Sequence, residues 1–268
     1  MDILALKHTI KTKKSFLCVG LDTDPKKIPA CLQNYSNPVL EFNRRIIEAT
    51  RDYAVAYKIN TAFYEAEGLA GWKNLSETIK MIPADCMSIA DAKRADIGNT
   101  SEMYARAFFL NLGADAVTVA PYMGKDSVSP FLKYSGKWTI LLALTSNEGS
   151  NDFQYLKYSE NGTPLFENVL EISSRWGTNE NMMFVIGATH PDDILSVRKI
   201  VPDHFLLVPG VGAQGGDLKA ILERGINKDY GLLINVSRAI IYASDKDDFD
   251  IAAKARAVEY TSIMEPYI

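Results

Sequence analysis

The amino-acid sequence predicts a single-domain α/β fold, a (β/α)8 TIM barrel. Eight apolar runs of strand length recur along the chain, and helix-length amphipathic segments lie between them. Charged or hydroxylated residues repeatedly close those runs, which is where a barrel of this kind gathers its functional groups. At 268 residues and 47% hydrophobic content the chain can bury one large core, and no linker divides it. A doubly wound open sheet is the competing architecture for the same alternation.

Residues 1–14 are amphipathic and carry four lysines without the apolar core of a signal peptide, so they read as a helical extension ahead of the barrel. Residues 15–22 (SFLCVGLD) are a compact apolar run that ends on Asp22, a strand meeting a loop. Leu40, Ile46 and Ile47 then stand at helical spacing within 39–53, and 54–60 (AVAYKIN) is again a strand-like run with Lys58 near its end. Further runs follow at 86–93, 116–122, 138–146, 182–189, 204–212 and 231–240. Helix-length segments at 75–82, 103–112, 166–176, 192–200 and 218–224 separate them. Asp22, Lys58, Asp91, Lys93, Ser146, Gln214 and Arg238 all fall where runs close.

The stretch 88–100, SIADAKRADIGNT, concentrates the charge. Asp91 and Lys93 are two apart, so on a strand they share one face. Asp96 follows in a turn before Gly98, and Asn99, Thr100 and Ser101 are suited to cap a helix over 102–112. The same charges would also serve a solvated loop with ordinary surface ion pairs. Residues 146–164 are polar, rich in Asn, Ser and Gly, and longer than a usual connection, which suggests a flap or an interface element.

Residues 208–217, VPGVGAQGGD, match G-x-G-x-x-G at Gly210, Gly212 and Gly215. The match falls in the seventh unit, and the next strand carries no ribose-binding acid, so a dinucleotide site is rejected. The surviving reading is an anion site, with glycines admitting backbone amides near a helix start and Arg238 supplying a guanidinium. A simple glycine turn is the alternative.

The formal net charge is −4 with lysine and arginine scattered, which leaves nucleic acid no footprint. Runs such as WTILLALT are too short to span a bilayer, so no membrane partner is expected and the chain is placed in the cytoplasm. Cys18, Cys31 and Cys86 form no CxxC pair, and His8, His190 and His204 are far apart, so neither a metal nor a cofactor is expected.

Taken in order, GLD at 20–22, YKIN around Lys58, DAKRADIGNT from Asp91, LTSNEG around Ser146, PGVGAQGGD from Pro209 and NVSRAI around Arg238 resemble the orotidine 5'-monophosphate decarboxylase family. The resemblance covers nearly the whole chain and points to a longer, bacterial-type branch. D-x-K-x-x-D alone is shared with magnesium-dependent sugar-phosphate decarboxylases and synthases of the same barrel group, which are the alternative. In those relatives the residue ending strand two looks like a metal-holding glutamate, whereas this chain has Lys58.

The resemblance implies decarboxylation of orotidine 5'-monophosphate to uridine 5'-monophosphate, the last step of UMP synthesis, without metal or cofactor. It implies a homodimer in which Lys58, Asp91 and Lys93 of one subunit meet Asp96 of its partner, with Ile97 and Thr100 reaching across beside it. Lys93 would be the proton donor, Asp22 the ribose contact, and Ser146 the donor to the pyrimidine amide edge. Gln214 and Arg238 would grip the phosphate, aided by the backbone amides of Gly215 and Arg238. A Schiff base at Lys58 or Lys93 would need a depressed amine pKa, and the flanking acids push the other way.

Overall fold

A computed structural model describes residues 1–157, 162–189, 191–212 and 216–268. Its centre is a closed barrel in which each parallel strand pairs with the next and the last returns to the first. The strands are β1 (Leu17–Gly20), β2 (Ala56–Asn60), β3 (Met87–Arg94), β4 (Ala116–Val119), β5 (Trp138–Leu144), β6 (Met182–Ile186), β7 (Phe205–Pro209) and β8 (Leu232–Val236). Seven predicted runs contain their strands, trimmed by up to four residues at an end, and β3 extends one residue past its run to Arg94. Most strand positions are buried on both faces, as expected when helices cover the outside of a parallel sheet.

The helices in chain order are α1 (Ile3–Lys13), α2 (Pro38–Thr50), α3 (Ala62–Glu65), α4 (Gly68–Met81), α5 (Gly98–Arg106) and α6 (Lys125–Leu132). They continue with α7 (Leu165–Ser173), α8 (Asp193–Ile200), α9 (Leu218–Gly225), α10 (Arg238–Ile241) and α11 (Phe249–Met264). Four were not foreseen, the single-turn α3 and α10 and the longer α6 and α11. Pro130 lies inside α6 and breaks the helical signal, while α11 buries Ala253, Ala257 and Thr261, small residues at four-residue spacing that leave little apolar periodicity.

The helix start at 98 corrects the capping expectation. Asn99, Thr100 and Ser101 lie within the first turn of α5, the N-cap position is Ile97, and no side chain caps it. The Ser101 hydroxyl instead donates to the Ser127 carbonyl at 2.6 Å, tying α5 to α6. Within 146–164, the described part has a short 3-10 turn at Glu148–Asp152 and an antiparallel bridge from Lys157 to Pro164. Gln154 anchors this stretch to the end of β5 by exchanging two 2.8 Å bonds with Thr145.

The N-terminal end of the barrel is closed by α1 and by one buried cation. Leu6 and Ile10 of α1 are fully buried, and Lys13 donates to the carbonyls of Arg51 and Ala54 just ahead of β2. At β7 and β8 Arg198 donates to the carbonyls of Val201, His204, Gly225 and Gly231, stitching α8 and α9 to the starts of these strands. Burial lowers the pKa of Arg198 to about 10.

His204 packs on Phe184 with ring centroids 5.3 Å apart, and among the described residues neither buried ring nitrogen has a hydrogen-bond partner. Burial, reinforced by the Arg198 charge and opposed by Asp203, lowers its pKa. Folding therefore favours the neutral ring. Its stabilising effect is fully present above the unfolded value of about 6.5 and is lost as pH falls through that value toward the folded one. Denaturant midpoints should fall between about pH 7.5 and 5, and His204→Phe should flatten that fall; equal slopes for the two proteins would exclude His204 as its source.

Candidate active site

The C-terminal ends of the strands converge on two connected cavities of about 150 and 280 Å³ that share Lys58, Ser146 and Pro209 as walls. The smaller reaches Asp22, Asn235 and Arg238, and the larger reaches Asp91, Lys93 and Thr118 with an apolar floor of Leu142, Val185 and Leu207. Asp22, Lys58, Asp91, Lys93, Ser146 and Arg238, scattered over more than 200 positions of sequence, thus line one continuous site.

Its electrostatic centre is Asp91 on β3. Oδ2 accepts from Lys58 Nζ at 2.8 Å, while Oδ1 accepts from Lys93 Nζ at 2.6 Å and from Thr118 Oγ1 at 2.9 Å. Lys58 Nζ also stands 3.7 Å from Asp22 Oδ1. Burial alone would raise the Asp91 pKa, but the ammonium of Lys58 and then that of Lys93 outweigh it and hold the carboxyl well below its ordinary range. Burial opposes the charge on Lys58 in the same way, and Asp91 followed by Asp22 overcomes it, so this amine is pushed up. Both groups stay ionised at neutral pH.

The three charged side chains differ in access. Lys58 and Asp91 are buried, whereas 49% of the Lys93 side chain is exposed, so its ammonium can meet a ligand while remaining tied to Asp91. Lys93 sits where β3 leaves the regular ladder, because Ala90 pairs with Val117 but Arg94 pairs with Val119. Its φ is +49°, a left-handed conformation that side-chain-bearing residues seldom adopt. Asp91 and Lys93 therefore meet through an irregular turn of β3 rather than by plain strand alternation.

Asp96, Ile97 and Thr100 do not join this cluster within one chain. The Asp96 carboxylate accepts from its neighbour Ile97 N at 2.7 Å and, among the described residues, forms no ion pair with Lys58 or Lys93. Ile97 and Thr100 are exposed at the rim.

At the anion end, Gly210 and Gly212 have φ of +99° and +84°, and Gly216 N returns to the Gly210 carbonyl at 3.3 Å. Gln214 and Gly215 lie outside the described residues. The helix that follows, α9, is capped by Asp217, whose side chain accepts from Ala220 N at 3.1 Å. Asp217 thus satisfies one amide of the first turn of α9, while the glycine loop ahead of it includes residues outside those described. Arg238 opens α10 just after β8, is exposed, and makes no ion pair among the described residues. Gly20 is required here, because a Cβ on it would lie 1.8 Å from Ser237 Oγ, next to Arg238.

Two contributors escaped the sequence reading. Thr118 is buried and bonds both Asp91 and the backbone N of Lys93, and the only signal for it is one hydroxyl within the apolar run AVTV. Asn235 accepts the Cys18 thiol at 3.7 Å across the β1–β8 seam and lines the smaller cavity. Burial pushes that thiol up to about 12, which keeps it protonated.

The sequence profile of the Orotidine 5'-phosphate decarboxylase / HUMPS family matches residues 15–248. The chain belongs to this family. A relative named orotidine 5'-phosphate decarboxylase from Bacteroides fragilis (strain YCH46) is 56% identical over 262 residues, covering 97% of this chain and 95% of its own. The structure of the Leishmania donovani OMP decarboxylase superposes with a TM-score of 0.84 at 40% identity, covering 98% of this chain and 99% of that one. The Leishmania donovani UMP synthase gives 0.85 at 43% identity, but the 97% of this chain that aligns spans only 56% of that longer protein. Family membership thus extends over the whole barrel and both cavities.

Proposed function

We infer that the protein converts orotidine 5'-monophosphate to uridine 5'-monophosphate, and that Lys58, Asp91 and Lys93 carry the chemistry. The observation that supports this most directly is the chain of contacts Lys58–Asp91–Lys93, a buried carboxylate held between two ammonium groups on residues that both line the cavities. A magnesium-dependent sugar-phosphate enzyme of the same barrel group would want a free carboxylate at the end of β2. Here the Lys58 ammonium stands there and occupies Asp91 Oδ2.

The reaction breaks the bond from carbon 6 of the pyrimidine to its carboxylate. Carbon dioxide leaves, the electron pair stays on carbon 6 in an sp² orbital, and a proton must replace the lost group. Lys93 is the donor of that proton. Its positive charge beside the carbanion stabilises the transition state before transfer, and a charge already held in place by Asp91 is effective because it needs no reorganisation. Asp91 keeps the amine aimed and faces the substrate carboxylate, a repulsion that is relieved as carbon dioxide departs.

Asp22 suits a ribose hydroxyl, because its buried Oδ1 accepts no hydrogen bond among the described residues and borders the smaller cavity. Ser146, shared by both cavities, suits the pyrimidine amide edge, and exposed Arg238 suits the phosphate, with Gln214 and Gly215 as its further partners. The array is completed by Asp96 of a second copy, with Ile97 and Thr100 beside it. The exposed apolar side chains of Ile97, Met103, Tyr122 and Met123 support a homodimer interface on that side of the barrel mouth. Three free cysteines suit the reducing cytoplasm where we place the enzyme.

Purified protein should consume orotidine 5'-monophosphate, followed by loss of its ultraviolet absorbance, at the same rate with and without a strong chelator. Inactivity on this nucleotide combined with chelator-sensitive turnover of a ketose phosphate would transfer the protein to the metal-dependent branch.

A further inference from the structure

The peptide linking Ala92 to Lys93 is gripped at both ends. Its N–H donates to Thr118 Oγ1 at 2.9 Å, and its carbonyl accepts from Arg94 Nη1 at 2.8 Å. Rotation of this peptide plane sets φ of Lys93, the residue held at +49°. Because β3 takes four positions where β4 takes two, the sheet ladder does not fix the plane, and these two side-chain bonds stand in for it.

Arg94 is itself immobilised. Its Nη2 pairs with Glu65 at the end of α3, and its guanidinium carbon lies 5.7 Å from the Tyr104 ring centroid and 5.5 Å from that of Phe108. Its own carbonyl accepts from Ala120 N at 3.0 Å, where regular pairing with β4 resumes. Glu65 follows β2, the strand that supplies Lys58, so one ion pair couples the supports of both active-site lysines.

We propose that Arg94 is a positioning residue for the decarboxylation: through the Ala92 carbonyl it holds the Ala92–Lys93 peptide in the orientation that aims the Lys93 ammonium at carbon 6. This rests on the assignment of Lys93 as proton donor. Without the Arg94 bond only the Thr118 contact restrains the peptide, and rotation toward an ordinary φ carries Lys93 Nζ away from the reacting carbon while the nucleotide still binds. A plain structural ion pair would act differently, lowering the amount of folded protein and leaving each folded site at full speed.

Arg94→Met keeps an apolar stem between Tyr104 and Phe108 but offers no donor. Its kcat per site, with sites counted by calorimetric titration with uridine 5'-monophosphate, should fall on the order of 100-fold, the scale of an ångström's misplacement. The Kd for that nucleotide should stay within about twofold, since Arg94 lines neither cavity. Guanidinium ion should raise kcat of Arg94→Ala but not that of wild type. If Arg94→Met does not fold, Arg94→Lys is measured in the same way: it keeps the charge beside Glu65 but has one head group for two acceptors, and should lose kcat without losing nucleotide affinity. Unchanged kcat per site, or equal loss of kcat and nucleotide affinity, overturns the proposal. Lys93→Ala is the control. If it turns over, the fault lies with Lys93 as donor; if it is inactive while Arg94→Met runs at full speed, only the role of Arg94 is wrong.

Discussion

Lys93→Ala is expected to lower turnover by at least about 10⁴-fold, because it removes both the proton donor and the nearest positive charge from carbon 6. The fold should survive. Asp91 keeps its bonds from Lys58 and Thr118, so no buried charge is left alone, and half of the Lys93 side chain already faces solvent. Binding of uridine 5'-monophosphate, measured by calorimetry, should be little changed, and residual turnover of more than a few per cent (~3%) would refute the assignment. The same variant tests the shared site. Mixed in equal amounts with inactive Asp96→Ala, it should regain about a quarter of wild-type activity, since half of random dimers are mixed and each contains one site with neither change. No recovery after verified subunit exchange would place Asp96 in its own chain's site.

Lys58→Met should be the most damaging change to stability. Methionine fills similar space, but the substitution leaves the buried Asp91 carboxylate with Lys93 and Thr118 alone and removes the ammonium 3.7 Å from Asp22 Oδ1. Removing one partner of a buried pair costs about 3–5 kcal/mol. The sign with pH follows from the shifts. Asp91 is held below its unfolded value, so its contribution exists above about pH 4 and fades as pH falls through the folded value; Lys58 is held above its own, so its contribution exists below about pH 10 and fades above it. The gap between wild type and Lys58→Met in denaturant melts should therefore be flat across neutral pH and narrow in acid. Adding Asp91→Asn should recover stability without recovering turnover. A Lys58→Met protein as stable as wild type at neutral pH would mean that the buried ion pair contributes nothing.

The barrel was legible because its signal is periodic: apolar runs at near-regular spacing, each ending in a polar group, survive any uncertainty about individual ends. α6 and α11 were missed for opposite reasons, a proline inside one and a stripe of alanine and threonine too small to register as apolar in the other. At the site, Asp22, Lys58, Asp91, Lys93, Ser146 and Arg238 are charged or polar residues at strand ends, and that alone brought them into view. Thr118 and Arg94 were not foreseen because their importance lies in which backbone atoms they bond, Lys93 N and Ala92 O, and no composition or spacing rule reports a bond to a main-chain atom. The left-handed φ of Lys93 was hidden for the same reason, since strand alternation gave the right neighbours by the wrong path.

The seam where β8 closes onto β1 has a consequence for the order in which the protein is made. β1 ends at Gly20 and its second neighbour, β8, starts at Leu232, so during synthesis one edge of β1 has no native partner until nearly the whole chain has been translated. At about 5–20 residues per second that interval lasts roughly 10–40 s, during which an apolar edge strand is open to any other strand in reach. The nascent barrel can hold Lys58 beside Asp91 long before then, but Asp22 cannot be locked behind its own strand, nor Gly20 meet Ser237, until the ribosome is almost finished. The ribose and phosphate end of the site is thus the last to be assembled, and a chain released early would carry the catalytic charges with no nucleotide to act on.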